Sequence, residues 1–251
     1  NTKGEKRMNI KEYNSQNAGK QILVLEENEI KSLMHFSTIA KNESINGLIV
    51  SGSYVGFTDT YRLAVVRDTR EELPGTDTKI YSVSVLEELK KAKSMAVLKN
   101  GKLAIQVKDE VMEYDFIPNA KVPDIKLFIN NYEYESYSSG KVVEKITDDI
   151  VWKMLKLVDS SDIKRYFSFE EGKLVVEAYP NGNSVLLLDV LELDNKVAKL
   201  KTTLNIKYID LWLKYIKDDS FEIALAKNNK NAIQFSKDNL AYIVMPVSLR
   251  D

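Results

Sequence analysis

The chain contains no cysteine. That excludes disulfides, thiolate metal ligands and cysteine nucleophiles at once, and it suits a reducing cytoplasm. Its single histidine, His35, leaves no partner for a His-pair zinc site. A Ser-His-Asp triad would have to recruit His35, whose helical position puts it opposite the apolar side, and no Gly-x-Ser-x-Gly elbow accompanies it. Phosphate-cradling and dinucleotide-binding glycine fingerprints are missing. No apolar run approaches the roughly 20 residues that span a bilayer, and residues 1–20 lack the apolar stretch of a secretory signal. No membrane partner is expected. The formal net charge is only −1, which argues against gripping nucleic acid through one uniformly basic surface, because phosphate neutralisation supplies most non-specific affinity. The carboxylate pairs Asp148/Asp149 and Asp218/Asp219 open or follow predicted helices, where capping and solvation account for them better than acid–base catalysis. No catalytic residue, metal site or cofactor is expected, and the chain reads as a non-enzyme.

What is present describes a soluble globular protein. Its 251 residues are 44% hydrophobic and 29% charged, enough for one large domain or two of ordinary size. Residues 1–20 are polar and begin with Asn1 rather than Met, so they are set aside as a tail or remnant, with Met8 as an alternative start. Four helices are predicted from apolar residues at helical spacing. The first carries Ile30, Leu33, Met34 and Ser37, with Asn28 as its cap. The second opens on a Ser84/Glu87 capping box before Val85, Leu86 and Leu89. The third runs from Thr147 through Ile150, Val151, Met154, Leu155 and Val158. The fourth starts near Asn205 and carries Ile206, Ile209, Leu213 and Ile216.

Most of the remainder alternates with the period of a strand: Leu103, Ile105 and Val107, then Leu174 and Val176, then Phe221, Ile223 and Leu225, then Ile233 and Phe235. Asn100-Gly101 and Pro180-Asn181-Gly182-Asn183 are turn signals. The polar stretch 131–141 reads as a linker between domains at 21–130 and 142–251. On both sides of it the order is helix, strands, helix, strands, which suggests duplication of one α+β unit.

Four motifs carry a resemblance to a known family. Phe57-Thr58-Asp59-Thr60-Tyr61-Arg62-Leu63-Ala64-Val65 resembles the "TDGHRLA" segment in the middle domain of the bacterial sliding clamp, the beta subunit of the replicative DNA polymerase. Val122-Pro123-Asp124-Ile125 is similar to the "FPDY" segment that closes that domain. Leu204-Asn205-Ile206-Lys207-Tyr208 is similar to "FNVSY", which opens the family's last helix. Ala241 to Leu249 (AYIVMPVSL) resembles the terminal "AYVVMPMRL". The motifs occur in the family's order from about Gln21 to Leu249, and they match its middle and last domains, not its first. The resemblance implies an α+β protein of two tandem sliding-clamp domains, each with two helices packed on antiparallel sheets.

It further implies a processivity factor that encircles duplex DNA independently of sequence and binds DNA polymerase and clamp-loader-type proteins through short peptides. Bacterial clamps close six domains into a ring from two three-domain chains. Two-domain chains would reach six as a homotrimer. The family's peptide cleft carries over, by position, to Ile45, Thr58, Thr60, Tyr61, Arg62 and Leu63, to Pro123, Leu127 and Phe128, and to Ile243, Val244, Met245, Pro246, Val247, Ser248 and Leu249. Here Thr60 stands for the usual Gly, Tyr61 for His and Ser248 for a frequent Arg, which points to altered partner preference. The helices line the family's channel, so the expected DNA-facing residues are Lys31, Lys41, Lys90, Lys91, Lys93, Lys153, Lys156, Lys207, Lys214 and Lys217. Scattered lysines suit backbone-only, sliding contact. Glu87, Glu88 and Asp210 would weaken the local field. Two alternatives stand beside the ring: a clamp-derived adaptor or decoy that binds peptides without encircling DNA, and a fragment of a three-domain clamp.

Overall fold

Leu23–Glu26 is a short apolar run that ends where acidic residues and helical spacing begin. It forms strand β1, and Glu27–His35 follows at once as helix α1. The computed structural model describes residue 10 and residues 23–41, 45–68, 78–122, 125–130, 134–142, 164–170, 173–179, 186–193, 200–202, 206–216, 221–226 and 232–246. The chain divides into two units, Asn1–Ile129 and Asn130–Asp251.

The first unit contains two antiparallel sheets. One joins β1 to Ser94–Val97 (β6), Leu103–Val107 (β7) and Glu110–Tyr114 (β8), in the order β1-β6-β7-β8. The other pairs Gly47–Ser51 (β2), Tyr54–Thr58 (β3), Arg62–Arg67 (β4) and Lys79–Ser82 (β5), in the order β4-β3-β2-β5. Helix α1 touches β1, β6 and β4, while Val85–Leu89 (α2) touches β2 and β7. Both helices therefore bridge the two sheets. Ile30 and Leu33 of α1, with Phe36 and Ile39 of the turn that follows, are fully buried, as are Leu25, Met95 and Ile105 of one sheet and Val55 and Val65 of the other. Each such side chain contributes about 1.5–3 kcal/mol on leaving water.

Several local expectations are revised. The N-cap of α1 is Glu26, not Asn28: the Glu26 N–H donates to Glu29 Oε2 at 2.7 Å, one arm of a capping box. Ser84 precedes α2 but is itself helical, with φ −59° and ψ −27°, and makes no side-chain cap. Its hydroxyl bonds Ser82 Oγ instead, and Glu87 pairs with Lys90. His35, expected to be exposed, is half-buried and packs edge-on against Phe36 with ring centroids 5.1 Å apart. A short helix not foreseen, Ile125–Asn130 (α3), lies at the division between the units.

The tail set aside at 1–20 contributes to the core. Ile10 is buried against Val24, Ala96, Leu98 and Ala104. These residues lie on the face of β1-β6-β7 opposite the helices, so Ala104 and Gln106 are buried although their alternation predicts exposure.

In the second unit the stretch read as a linker is a strand. Tyr134–Val142 (β9) pairs antiparallel with Leu186–Leu193 (β12) on one side and Phe221–Ala226 (β14) on the other. Backbone pairing on both edges accommodates a polar sequence, because ladder hydrogen bonds are indifferent to side chains. With Lys164–Glu170 (β10), Lys173–Tyr179 (β11), Leu200–Thr202 (β13), Ile233–Lys237 (β15) and Leu240–Val244 (β16), the order is β13-β10-β11-β12-β9-β14-β15-β16. Ile206–Ile216 forms α4, burying Ile209, Trp212, Leu213 and Ile216 at the predicted spacing. The indole of Trp212 lies parallel to the Tyr242 ring at 6.0 Å and meets Phe221 edge-on and Phe235 at a tilt, each at 5.7 Å. The Tyr242 hydroxyl donates to the Tyr208 carbonyl at 3.0 Å, tying β16 to α4. The helix predicted at Thr147–Val158 lies outside the described residues.

Candidate functional site

The β3–β4 connection turns the chain within Asp59, Thr60 and Tyr61, and Asp59 organises it. Asp59 Oδ1 accepts the backbone N–H groups of Tyr61, at 3.1 Å, and Arg62, at 2.8 Å. Asp59 Oδ2 accepts Arg62 Nε at 2.9 Å and Nη2 at 2.7 Å. Thr58 Oγ1 donates to the Arg62 carbonyl at 2.7 Å and accepts the Thr60 N–H at 3.2 Å. The ion pair is largely shielded, with side-chain exposures of 16% for Arg62 and 9% for Asp59. This network holds Thr60 at φ 74°, a left-handed conformation that costs a β-branched residue about 1–2 kcal/mol.

The turn thus presents Tyr61 outward, 58% exposed, from a rigid base. Arg62, expected in the peptide cleft, spends two donors on Asp59. Asp59 itself was absent from the expected site, although an Asp three residues before an Arg at a hairpin turn is a recognisable Asx-turn signal.

The other expected cleft residues divide into two groups. Ile45, Thr58, Leu63, Ile243 and Val244 are buried. Thr60 and Tyr61 are exposed, while Arg62, Phe128, Met245 and Pro246 are half-buried. Met245 and Pro246 leave the end of β16, whose Ile243 and Val244 are anchored by pairing with β15. Leu127 lies in α3, with its side chain outside the described set. Pro123, Val247, Ser248 and Leu249 lie outside the described residues.

Of the expected DNA-facing lysines, Lys31, Lys41, Lys90, Lys91, Lys93 and Lys214 are all exposed. Three pair with a carboxylate of their own helix: Lys31 with Glu27 at 2.5 Å, Lys90 with Glu87 at 2.7 Å and Lys214 with Asp210 at 2.7 Å. Hydrogen bonding and attraction from Lys31 hold the Glu27 carboxyl below its ordinary range, and Lys90 does the same to Glu87. These pairs are solvated and contribute little stability. Lys207 falls within α4 with its side chain outside the described set, and Lys153, Lys156 and Lys217 lie outside the described residues.

No protein-family profile and no curated protein matches the chain. Solved structures do. DNA polymerase III subunit beta from Borrelia burgdorferi, solved in complex with a natural product, superposes with a TM-score of 0.66 at 18% identity, over 90% of this chain and 64% of that one. The beta subunit from Thermotoga maritima gives a TM-score of 0.66 at 16% identity, over 90% and 65% of the two chains. A DNA polymerase sliding clamp from Pseudomonas aeruginosa gives 0.64 at 14% identity, over 94% and 69%. The chain spans about two thirds of the length of these proteins. Its α+β fold is that of the bacterial DNA polymerase III beta-subunit sliding clamps.

Proposed function

We propose that the chain is a DNA sliding clamp, a processivity factor without catalytic chemistry that surrounds duplex DNA and tethers partner proteins by short peptides. The reading rests on the likeness of fold to sliding clamps over nine tenths of the chain. Each unit offers its own contact for partner peptides, the Thr60–Arg62 turn in the first and the Met245–Pro246 tail in the second. The turn offers an exposed aromatic ring on a hydrogen-bonded base, and the tail offers two half-buried apolar side chains. Methionine adapts its shape to varied anchors, which suits a site serving several partners. Burying two or three anchors at about 1.5–3 kcal/mol each, less the cost of ordering a peptide, gives micromolar-scale affinity.

The test is a titration with a fluorescent peptide carrying adjacent leucine and phenylalanine anchors. Tyr61→Ala combined with Met245→Ala is expected to weaken binding tenfold or more, about 1.4 kcal/mol. Leu63 is left intact because it belongs to the core. An unchanged affinity in the folded double variant rejects the assignment.

The ring reading makes three chains one assembly, with exposed lysines offering sequence-independent phosphate contacts. Lys90→Glu with Lys91→Glu is expected to reduce retention on DNA severalfold at low salt and to leave peptide binding unchanged. Equal retention of variant and wild type on the same DNA removes these lysines from the interface. One observation favours the reading without a ring: Lys31, Lys90 and Lys214 are each paired with a neighbouring carboxylate, which reduces the positive field that duplex DNA would meet.

A further inference from the structure

The face of β1-β6-β7 that points away from the helices carries a small recess whose occupant is known. Val24, Ala96, Leu98 and Ala104 form its apolar walls, with half-buried Val111 of β8 beside them, and the side chain of Ile10 fills it. A polar device sits at its edge. The Ile10 N–H donates to Gln106 Oε1 at 3.0 Å, and Ser94 Oγ donates to the same oxygen at 3.1 Å. Gln106 Nε2 donates to the Lys108 carbonyl at 3.1 Å, which fixes the amide orientation. Both polar side chains are buried, Ser94 at 4% exposure and Gln106 at 9%.

This arrangement recognises two features of a peptide together. The walls take a branched aliphatic side chain, and the oriented amide oxygen takes the backbone N–H of the same residue. A strand face that only needed covering would not require the second feature. Without Ile10, Gln106 Oε1 keeps the Ser94 hydroxyl but loses one of its two donors, so an occupant that presents an N–H there is favoured by one hydrogen bond. The anchor comes from far away in sequence, 96 residues from Gln106. Chain tethering supplies it at an effective concentration of about millimolar, so even a weak site is filled.

We propose that this recess is a peptide-anchor site, occupied in cis by the chain's own Ile10 segment and able to accept that segment when it is offered as a separate peptide. The site is independent of the peptide contacts assigned to the Thr60–Arg62 turn and the Met245–Pro246 tail. Its ligand is a short segment with one isoleucine-like anchor and an available N–H.

The probe is a fluorescent peptide of residues 4–16, added to the full chain carrying Ile10→Asp, which expels the resident anchor. Binding is expected at least tenfold tighter than to the wild-type chain, where the site is filled. The same peptide with Ile10→Asp should not bind. Adding Gln106→Ala to the Ile10→Asp chain should weaken binding about fivefold, the loss of one hydrogen bond. No binding to a folded Ile10→Asp chain, or equal binding to it and the wild type, overturns the proposal.

Should Ile10→Asp fail to fold, Ile10→Cys gives a unique thiol in an otherwise cysteine-free chain. That thiol should react with an aromatic disulfide reagent at least ten times more slowly than a Lys99→Cys thiol, since Lys99 is exposed. Equal rates overturn occupancy of the recess.

Discussion

Replacing Trp212 with alanine is expected to lower the unfolding free energy of the second unit by about 3–5 kcal/mol. The indole is fully buried and is the centre of a cluster that draws on α4, β14, β15 and β16 through Phe221, Phe235 and Tyr242. Truncation removes the apolar transfer energy of the ring and leaves a cavity that three neighbouring strands would have to collapse to fill. Trp212→Phe should recover part of the loss by keeping an aromatic ring against Tyr242. The measurement is urea unfolding followed by far-UV circular dichroism, and an unmoved midpoint would show that the cluster is not what holds α4 to its strands.

The second large effect is expected at Asp59. Asp59→Ala removes the acceptor of the Tyr61 and Arg62 N–H groups and the carboxylate paired with a guanidinium that is only 16% exposed. Breaking one side of a shielded ion pair costs more than the pair is worth, because the remaining charge keeps its desolvation penalty. A loss of about 2–4 kcal/mol is expected, the lower figures reflecting the partial access of water. Asp59→Asn keeps one acceptor oxygen for the backbone and should lose about half as much. In a double-mutant cycle, Asp59→Ala with Arg62→Ala should be less damaging than the two single losses added together. Strict additivity in that cycle would show that the two residues do not act as one lock. Peptide binding should fall with Asp59→Ala as well, since Tyr61 would lose its fixed base.

Much of the architecture was legible because burial has a period. Ile30 and Leu33, and likewise Ile209, Leu213 and Ile216, mark helices by spacing alone, and the structure buries all five. Caps were less legible. Asn28 and Ser84 are good capping residues by type, yet Glu26 caps α1 and Ser84 has already entered the helical conformation. Backbone geometry decides a cap, and residue preference is only a weak guide to it. The strand at Tyr134–Val142 was hidden because pairing on both edges needs no aliphatic side chains. Alternation failed at Ala104 and Gln106 for a different reason. The outer face of their strand is covered by Ile10, and nothing local to residues 103–107 announces a distant cover.

The candidate site was legible in outline through its motifs, while the roles within it were not. The resemblance placed Arg62 in the peptide cleft, but a carboxylate three residues away claims two of its donors. Leu63, Ile243 and Val244 lie on strand stretches buried on both faces, which sequence position alone does not distinguish from a cleft wall.

Closure into a ring carries the proposed function. Multi-angle light scattering of the purified chain at micromolar concentration measures this directly. A single species with three times the chain mass is the predicted result. A chain that stays monomeric across that range contradicts the ring.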